Sequence, residues 1–320
     1  MIIQTKRAFA IALGVALIGP LFSAPAWAEK KNLVFITNAS ADFWTICRRG
    51  TEKAAKELPN YDIRFIVPGE ATAADQKRIL DDLLVKGVAG VAISPVNPDQ
   101  ATDILNKVAA TAVLFTSDSD APKSKRSLYV GTDNVAAGVQ AGELMKKTLP
   151  GGGKAMLFVG SLDNANARER VEGIRKAIAG TKIEIVDVRT DEVDFAKARR
   201  NAEDTLTKYP DIAMMVGLYG YNPPLIIEAV KAAGKLGKVK IVAFDEDAVT
   251  LKGVTDGFVA GTIVQQPFEF GYQSMVNLAK VIEGDKSVIP ASKLLIVPTK
   301  VIDKDNVAKF QSDMKTLLGK

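Results

Sequence analysis

From residue 33 to residue 283, short apolar runs alternate with stretches of helical periodicity almost without a break. Such alternation predicts an α/β chain in which parallel sheets are covered by helices on both faces. Strands are expected at 33–37, 62–67, 88–93, 112–116 and 128–131, then near 154–159, 183–188, 212–216, 240–244 and 258–264. Helices are expected near 72–85, 134–147, 165–178, 194–208, 223–234 and 267–283. In the first of these, Ile79, Leu80, Leu83 and Leu84 recur at helical spacing before a stop at Gly87. Asn97 followed by Pro98 reads as an N-cap with proline at the first helical position, Asn222 before Pro223 and Pro224 reads the same way, and Gly180, Gly234 and Gly284 sit where helices should end. The pattern gives two successive α/β sets of similar size with no low-complexity linker between them.

The start of the chain departs from that pattern. Lys6 and Arg7 precede the apolar run AFAIALGVALIGPLF, and APAWA ends in the small-x-small signature of a cleavage site. Residues 1–28 therefore read as an export leader that removes Trp27 and leaves a mature chain beginning at Glu29. No cysteine stands at the cleavage point and no later apolar run could cross a bilayer, so the expected product is a periplasmic protein without a membrane anchor.

The leader holds two bases and no acid, so the formal charge of +5 becomes +3 in the mature chain. No block of Lys or Arg suggests nucleic acid. Cys47 is the single cysteine, which excludes an internal disulfide, and the chain has no histidine at all. Imidazole acid–base pairs, Ser-His-Asp triads and the commonest metal sites need that side chain, so no metal and no cofactor are expected. PGGGKA at 150–155 lacks the spacing of a phosphate loop.

In open parallel sheets the ligand crevice lies beyond the carboxyl ends of the strands. The polar and aromatic residues there are Asp42 to Trp44, Ser94, Asp118, Thr132 to Asn134, Asp163 to Asn166, Asp191 to Phe195, Tyr219 to Asn222, Phe244 with Asp245, and Gln265. Acids, amides, an arginine and rings suit a neutral polyhydroxylated ligand: each hydroxyl both donates and accepts, and the C–H faces lie on aromatic rings. On a helix, Phe43, Cys47, Gly50 and Ala54 form a sheet-facing stripe, which places Trp44 about 100° away, free to stack on a ligand, with core packing as the alternative. Cys47 is then a buried small hydrophobe, with Arg48 and Arg49 solvated or on the rim. Arg168 and Arg170 are two apart and cannot share a helical face. Asp118 and Asp245 could instead cap following helices, Asn222 could be purely a cap, and Gln265 purely a hinge residue.

The stretches NASADFW, GVAGVAISPVNP, VLFTSDSDAP, YVGTDNVAAG, ANARERVEGI, IVAFDEDAV and GTIVQQPFEFGYQ, in this order over nearly all of residues 32–300, resemble the periplasmic sugar-binding proteins of the ribose-binding type, solute receptors of ABC importers. The resemblance implies the type I periplasmic binding protein fold: two doubly wound, Rossmann-like parallel-sheet lobes joined by a three-crossover hinge near Thr132–Asn134, Gln265–Pro267 and 294–298. It implies an N-terminal lobe of 31–132 plus 267–294 and a C-terminal lobe of 133–265 plus 295–320. It places Phe43 and Trp44 on the face of a sugar, Ser94 and Asp118 on its hydroxyls from the first lobe, and Arg170, Phe195, Asp245 and Gln265 on it from the second. It leaves open which of Tyr219, Tyr221 and Asn222 joins them, since GLYGYN replaces AQND with a length change. Ala41 stands where the ribose binder has an asparagine and Ser119 where it has an arginine, so the ligand should differ from ribose. The implied partners are a monosaccharide or polyol, a permease and its separate ATPase, with the receptor a monomer.

Three rival functions come from other classes. A sugar-responsive gene regulator shares the two-lobe core but carries a helix-turn-helix where this chain has its leader. A secreted glycoside hydrolase could use Asp118 and Asp245, without a motif to support it. Presentation of a sugar or sugar-derived signal to a chemotaxis or sensor receptor is compatible with the same residues.

Overall fold

In the computed structural model, which describes residues 1–2 and 30–318, the alternation forms two six-stranded sheets. The expected leader and Trp27 lie outside the described residues apart from Met1 and Ile2. The chain runs through β1 (Lys31–Ile36), α1 (Asp42–Glu57), β2 (Tyr61–Ile66), α2 (Ala73–Val85), β3 (Gly90–Ile93), α3 (Pro98–Thr111), β4 (Val113–Ser117) and β5 (Leu128–Gly131). It continues with α4 (Asn134–Thr148), β6 (Gly153–Val159), α5 (Ala165–Ile178), β7 (Ile183–Thr190), α6 (Phe195–Lys208), β8 (Ile212–Gly217), α7 (Asn222–Ala232), β9 (Lys240–Phe244), α8 (Ala248–Asp256) and β10 (Val259–Val264). It closes with α9 (Pro267–Ile282), β11 (Leu294–Ile296), β12 (Lys300–Ile302) and α10 (Val307–Leu318).

The strand orders are β11-β5-β4-β3-β1-β2 and β12-β10-β9-β8-β6-β7, so one lobe repeats the other. All pairs are parallel except β10 with β12. The chain passes between the sheets three times: from β5 into α4, from β10 into α9, and from β11 to β12. The two-residue period of an extended strand divides each sheet between two cores. Leu33 and Phe35 of β1 join a cluster with Phe115 and Phe270, while Val34 and Ile36 join one with Leu80 and Leu105. In β6, Met156 and Phe158 face one side, and Ala155, Leu157 and Val159 the other. Both faces are apolar because helices cover both.

Side-chain caps explain five of the ten helix starts among the described residues. Asn97 accepts the Gln100 amide, and Thr72, Asp133, Asp194 and Asp247 do the same for their own helices. Asn222 differs from expectation: it is the first residue of α7, and its Oδ1 accepts the Tyr219 amide 3.1 Å away, closing the preceding turn. The short edge strands β11 and β12 were not predicted; each has three residues, too few to show a period, and of the six only Ile302 is buried.

Glycine pairs hold the helices that begin at the cleft. A Cβ at Gly50 of α1 would overlap Phe268 O, and one at Gly271 of α9 would overlap Cys47 O. The second lobe repeats this: Gly138 of α4 abuts the Arg170 backbone, and Gly173 of α5 abuts Val135 O. Only hydrogen side chains permit this approach. Each helix that follows a crossover, α9 or α4, is thereby fitted against a helix that carries cleft residues, α1 or α5.

Candidate functional site

The site begins where strands end. Asp118 follows β4 and Asp245 follows β9, equivalent strands of the two sheets, and both adopt left-handed backbone with φ of 63° and 65°. Aspartate tolerates that region better than most residues. Each gives its amide to the neighbouring strand, Asp118 to Val130 O and Asp245 to Ile263 O, and the turn directs the carboxylates to one interlobe cavity. Neither caps a helix; Asp133 and Asp247 perform that task for α4 and α8.

The cavity encloses about 920 Å³ and is lined from both lobes. Of the residues expected to meet a ligand, Phe43, Trp44, Asp118, Arg170, Phe195, Tyr219, Asp245 and Gln265 lie on its wall. Ser94 and Asn222 do not. Ser94 is fully buried and donates to Asp118 Oδ2 at 2.9 Å, and Asn222 donates to Asp191 Oδ2 at 2.9 Å. Ser94 stands behind Asp118, which lines the cavity, whereas Asn222 holds Asp191, itself buried behind the wall and bonded to the cavity-lining Tyr221.

Trp44 is a second correction. It is 4% exposed, and the buried stripe of α1 runs through Trp44, Cys47, Gly50, Thr51 and Ala54, with Phe43 half-buried beside it. The indole meets Phe43 edge-on at 4.9 Å and packs on Phe35 at 6.0 Å, and its Nε1 donates to Asn38 Oδ1 at 3.1 Å. The helix starts at Asp42, and the indole leads the core stripe while one side still borders the cavity. Cys47 is fully buried, and burial raises its thiol pKa well above the ordinary value.

Asp118 is the centre of a hydrogen-bond network. Its Oδ2 accepts from Ser94, from Asn38 Nδ2 at 3.4 Å and from Asn166 Nδ2 at 3.2 Å. Asn166 belongs to α5, so this bond joins the lobes directly, and Tyr219 in turn donates to Asn166 Oδ1 at 2.9 Å. Arg170 is buried while Arg168 is exposed, which resolves the helical-face question in favour of Arg170. Its Nε donates to Asn134 Oδ1 at 3.0 Å and its Nη1 to Leu218 O at 2.6 Å, with the guanidinium 4.7 Å from the Phe244 ring. Gln265 donates to Asp245 Oδ1 at 2.9 Å and accepts from Thr132 at 3.0 Å, so it serves cavity and crossover together.

Burial sets the acid–base state of the two central carboxyls. It pushes Asp118 up to about 6, against the opposing pull of Arg170 and the Ser94 hydrogen bond. It raises Asp245 as well, again against Arg170. Sequence reasoning missed Asn38, although it stands two residues past β1, where the rule that found Ser94 and Asp118 applies. Asn166 was among the strand-end residues but was not chosen. Tyr221 also lines the cavity, stacked on Phe195 at 4.9 Å, with its hydroxyl on Asp191.

Comparison with known proteins places the chain among its relatives. The sequence profile of the periplasmic binding protein domain matches residues 33–286. The ribose import binding protein RbsB of Escherichia coli is 27% identical over 286 residues, covering 88% of this chain and 94% of that protein. The D-allose-binding periplasmic protein of Escherichia coli is 28% identical over 296 residues, covering 87% and 92%. Among solved structures, an ABC transporter solute-binding protein of Burkholderia graminis in complex with D-arabinose superposes with a TM-score of 0.82 at 29% identity, covering 87% of this chain and 97% of that one.

Proposed function

Because the chain belongs to the periplasmic binding protein family, we propose that it captures a monosaccharide or related polyol between its lobes, closes on it and delivers it to the permease of an ABC importer. The observation that carries this reading is the interlobe cavity, in which carboxylates, amides and a buried guanidinium from both lobes meet aromatic rings. Relatives named for ribose and allose, and a structural neighbour holding D-arabinose, support the sugar class.

Asp118 and Asp245 accept from ligand hydroxyls, Arg170 and Gln265 complete the polar contacts, and Phe43, Trp44, Phe195 and Tyr219 cover the C–H faces. Ser94 and Asn222 act through Asp118 and Asp191. The lobes, residues 31–132 with 267–294 and 133–265 with 295–320, rotate about the three crossovers, and ligand stabilises the closed arrangement by touching both. The Asn166–Asp118 bond supports this, since it shows the second lobe reaching the first lobe's acid. Export by a cleaved leader of 1–28 places the protein in the periplasm, where it works as a monomer beside a permease with its own ATPase. Among the described residues no helix is long and apolar enough to cross a membrane. The protein holds its ligand without turning it over: Asp118 accepts from three protein donors, which supports a fixed acceptor over a mobile acid.

A thermal-shift screen of pentoses, hexoses and polyols tests the reading. A few related compounds should raise the melting temperature, since ligand at 100 times its Kd adds about 2.7 kcal/mol. If no sugar or polyol acts while an amino acid or nucleoside does, the reading fails, and turnover of a glycoside by the pure protein would replace it with the hydrolase.

A further inference from the structure

We propose that the ligand carries a positive charge: it is a monosaccharide or polyol bearing an ammonium group. This rests on the sugar reading above and narrows it. Among the described residues, seven carboxylates line the cavity, including Asp42 and the run Asp245-Glu246-Asp247, against Arg170 as the single basic residue. Arg170 does not balance them. Two of its nitrogens are committed to Asn134 and Leu218 O, and its charge already faces both Asp118 and Asp245.

The donors deepest in the cleft are likewise engaged within the protein. Asn38 and Asn166 donate to Asp118, Tyr219 to Asn166, and Gln265 to Asp245. Acceptors remain. Glu246 lines the cavity with its Oε2 buried and without any donor, and Asn164, 6% exposed on the same wall, has its Oδ1 in the same condition. A buried carboxylate oxygen without a donor is costly, and burial, with the Asp245 charge, accordingly raises the Glu246 carboxyl well above the ordinary range, a shift that a bound cation would oppose. Across the cleft from this acidic run stands Asp42 of the first lobe. Burial first, and the Asp42 charge with it, raise the Asp247 carboxyl. The second lobe's acidic run and the first lobe's Asp42 thus repel unless a cation comes between them.

A hydroxyl brings one donor and two acceptors, whereas an ammonium brings three donors and no acceptor. A sugar hydroxyl can meet Arg170 Nη2, while the two free acceptors and the excess of carboxylates over one guanidinium call for the ammonium, and charge-assisted bonds to carboxylates are about twice as strong as neutral ones. No group of three or more acidic or thiol side chains among the described residues is arranged for a metal ion, and the chelator in the experiment below separates an organic cation from a metal.

Isothermal titration in chelator-containing buffer, on protein purified from a periplasmic extract, decides the matter. Glucosamine, galactosamine and a monoamino cyclitol are compared with glucose, galactose, inositol and the N-acetyl counterparts. At least one amine should bind 10-fold or more tightly than both its parent and its N-acetyl form, and E246Q should shrink that ratio below 3-fold. Should E246Q fail to fold, D42N, at an exposed position on the first turn of α1, provides the same ratio test. Neutral parents that bind as tightly as every amine, or a ratio untouched by the folded variant, would overturn this inference and leave the sugar reading standing. If neither amines nor neutral sugars bind, the sugar reading and the inference fall together.

Discussion

Trp44 of the first lobe and Phe195 of the second both border the cavity, yet they are held in opposite ways. Trp44 is 4% exposed, wedged between Phe35 and Phe43 on a helix that α9 grips through glycines. Phe195 is 49% exposed and stacks only on Tyr221, and it follows Glu192 and Val193, both with left-handed backbone. For a β-branched valine, φ of 62° is costly, of order 1–3 kcal/mol. One wall is an extension of a hydrophobic core and the other is a rim supported by a strained loop. The first lobe therefore supplies a fixed floor, and the second supplies the part of the site that adjusts.

The largest effect expected from breaking this contrast is at the floor. Trp44→Ala should cost about 3–5 kcal/mol of ligand-free stability in urea unfolding, because it opens a hole in the core that Phe35 and Phe43 cannot fill. A loss under 1 kcal/mol would return the indole to the role of a free stacking surface.

Next comes the pH response of the two central acids. The folded pKa of Asp118, about 6, lies above its unfolded value near 3.8. The stability this group contributes is therefore full below about pH 3.8 and lost as pH rises through 6, up to about 3 kcal/mol in all. Asp118→Asn should flatten the fall in ligand-free melting temperature between pH 4 and 7. It should not abolish it, because burial also raises Asp245 and Glu246 in the second lobe. An unchanged slope would show that the second lobe alone governs the response.

The smallest effect on stability belongs to the rim. Phe195→Ala should change ligand-free stability by less than about 0.5 kcal/mol, as exposed side chains do. It should nevertheless weaken sugar binding about 10-fold through the lost stacking surface. Equal losses in both measurements would mean that the rim is packed as firmly as the floor.

Most of the fold was legible because apolar runs and their punctuation repeat in both lobes, and β5, β9 and α5 fall at the expected residues. The phase of α1 was not. Whether Phe43 or Trp44 leads the buried stripe is a single-residue question, and the packing of α1 against β1 and α9 decides it, which no local pattern contains. The depth of the site residues was illegible for a related reason. Ser94 and Asp118 both follow strands, but only Asp118 reaches the cavity, turned there by its left-handed backbone while Ser94 stays behind it. Asn38 was legible by rule and overlooked because the aromatic pair beside it carried the stronger signal.

The interlocked glycines of α1 with α9 and of α4 with α5 set a practical boundary on redesign. Neither Trp44 nor Arg170 can be shifted by sliding its helix, so a library that seeks a new ligand should leave Gly50, Gly138, Gly173 and Gly271 untouched. Diversity belongs at Glu192, Phe195 and Tyr221, where the wall is held by a loop and a ring stack. Such a library would change what the receptor recognises without relearning how it folds.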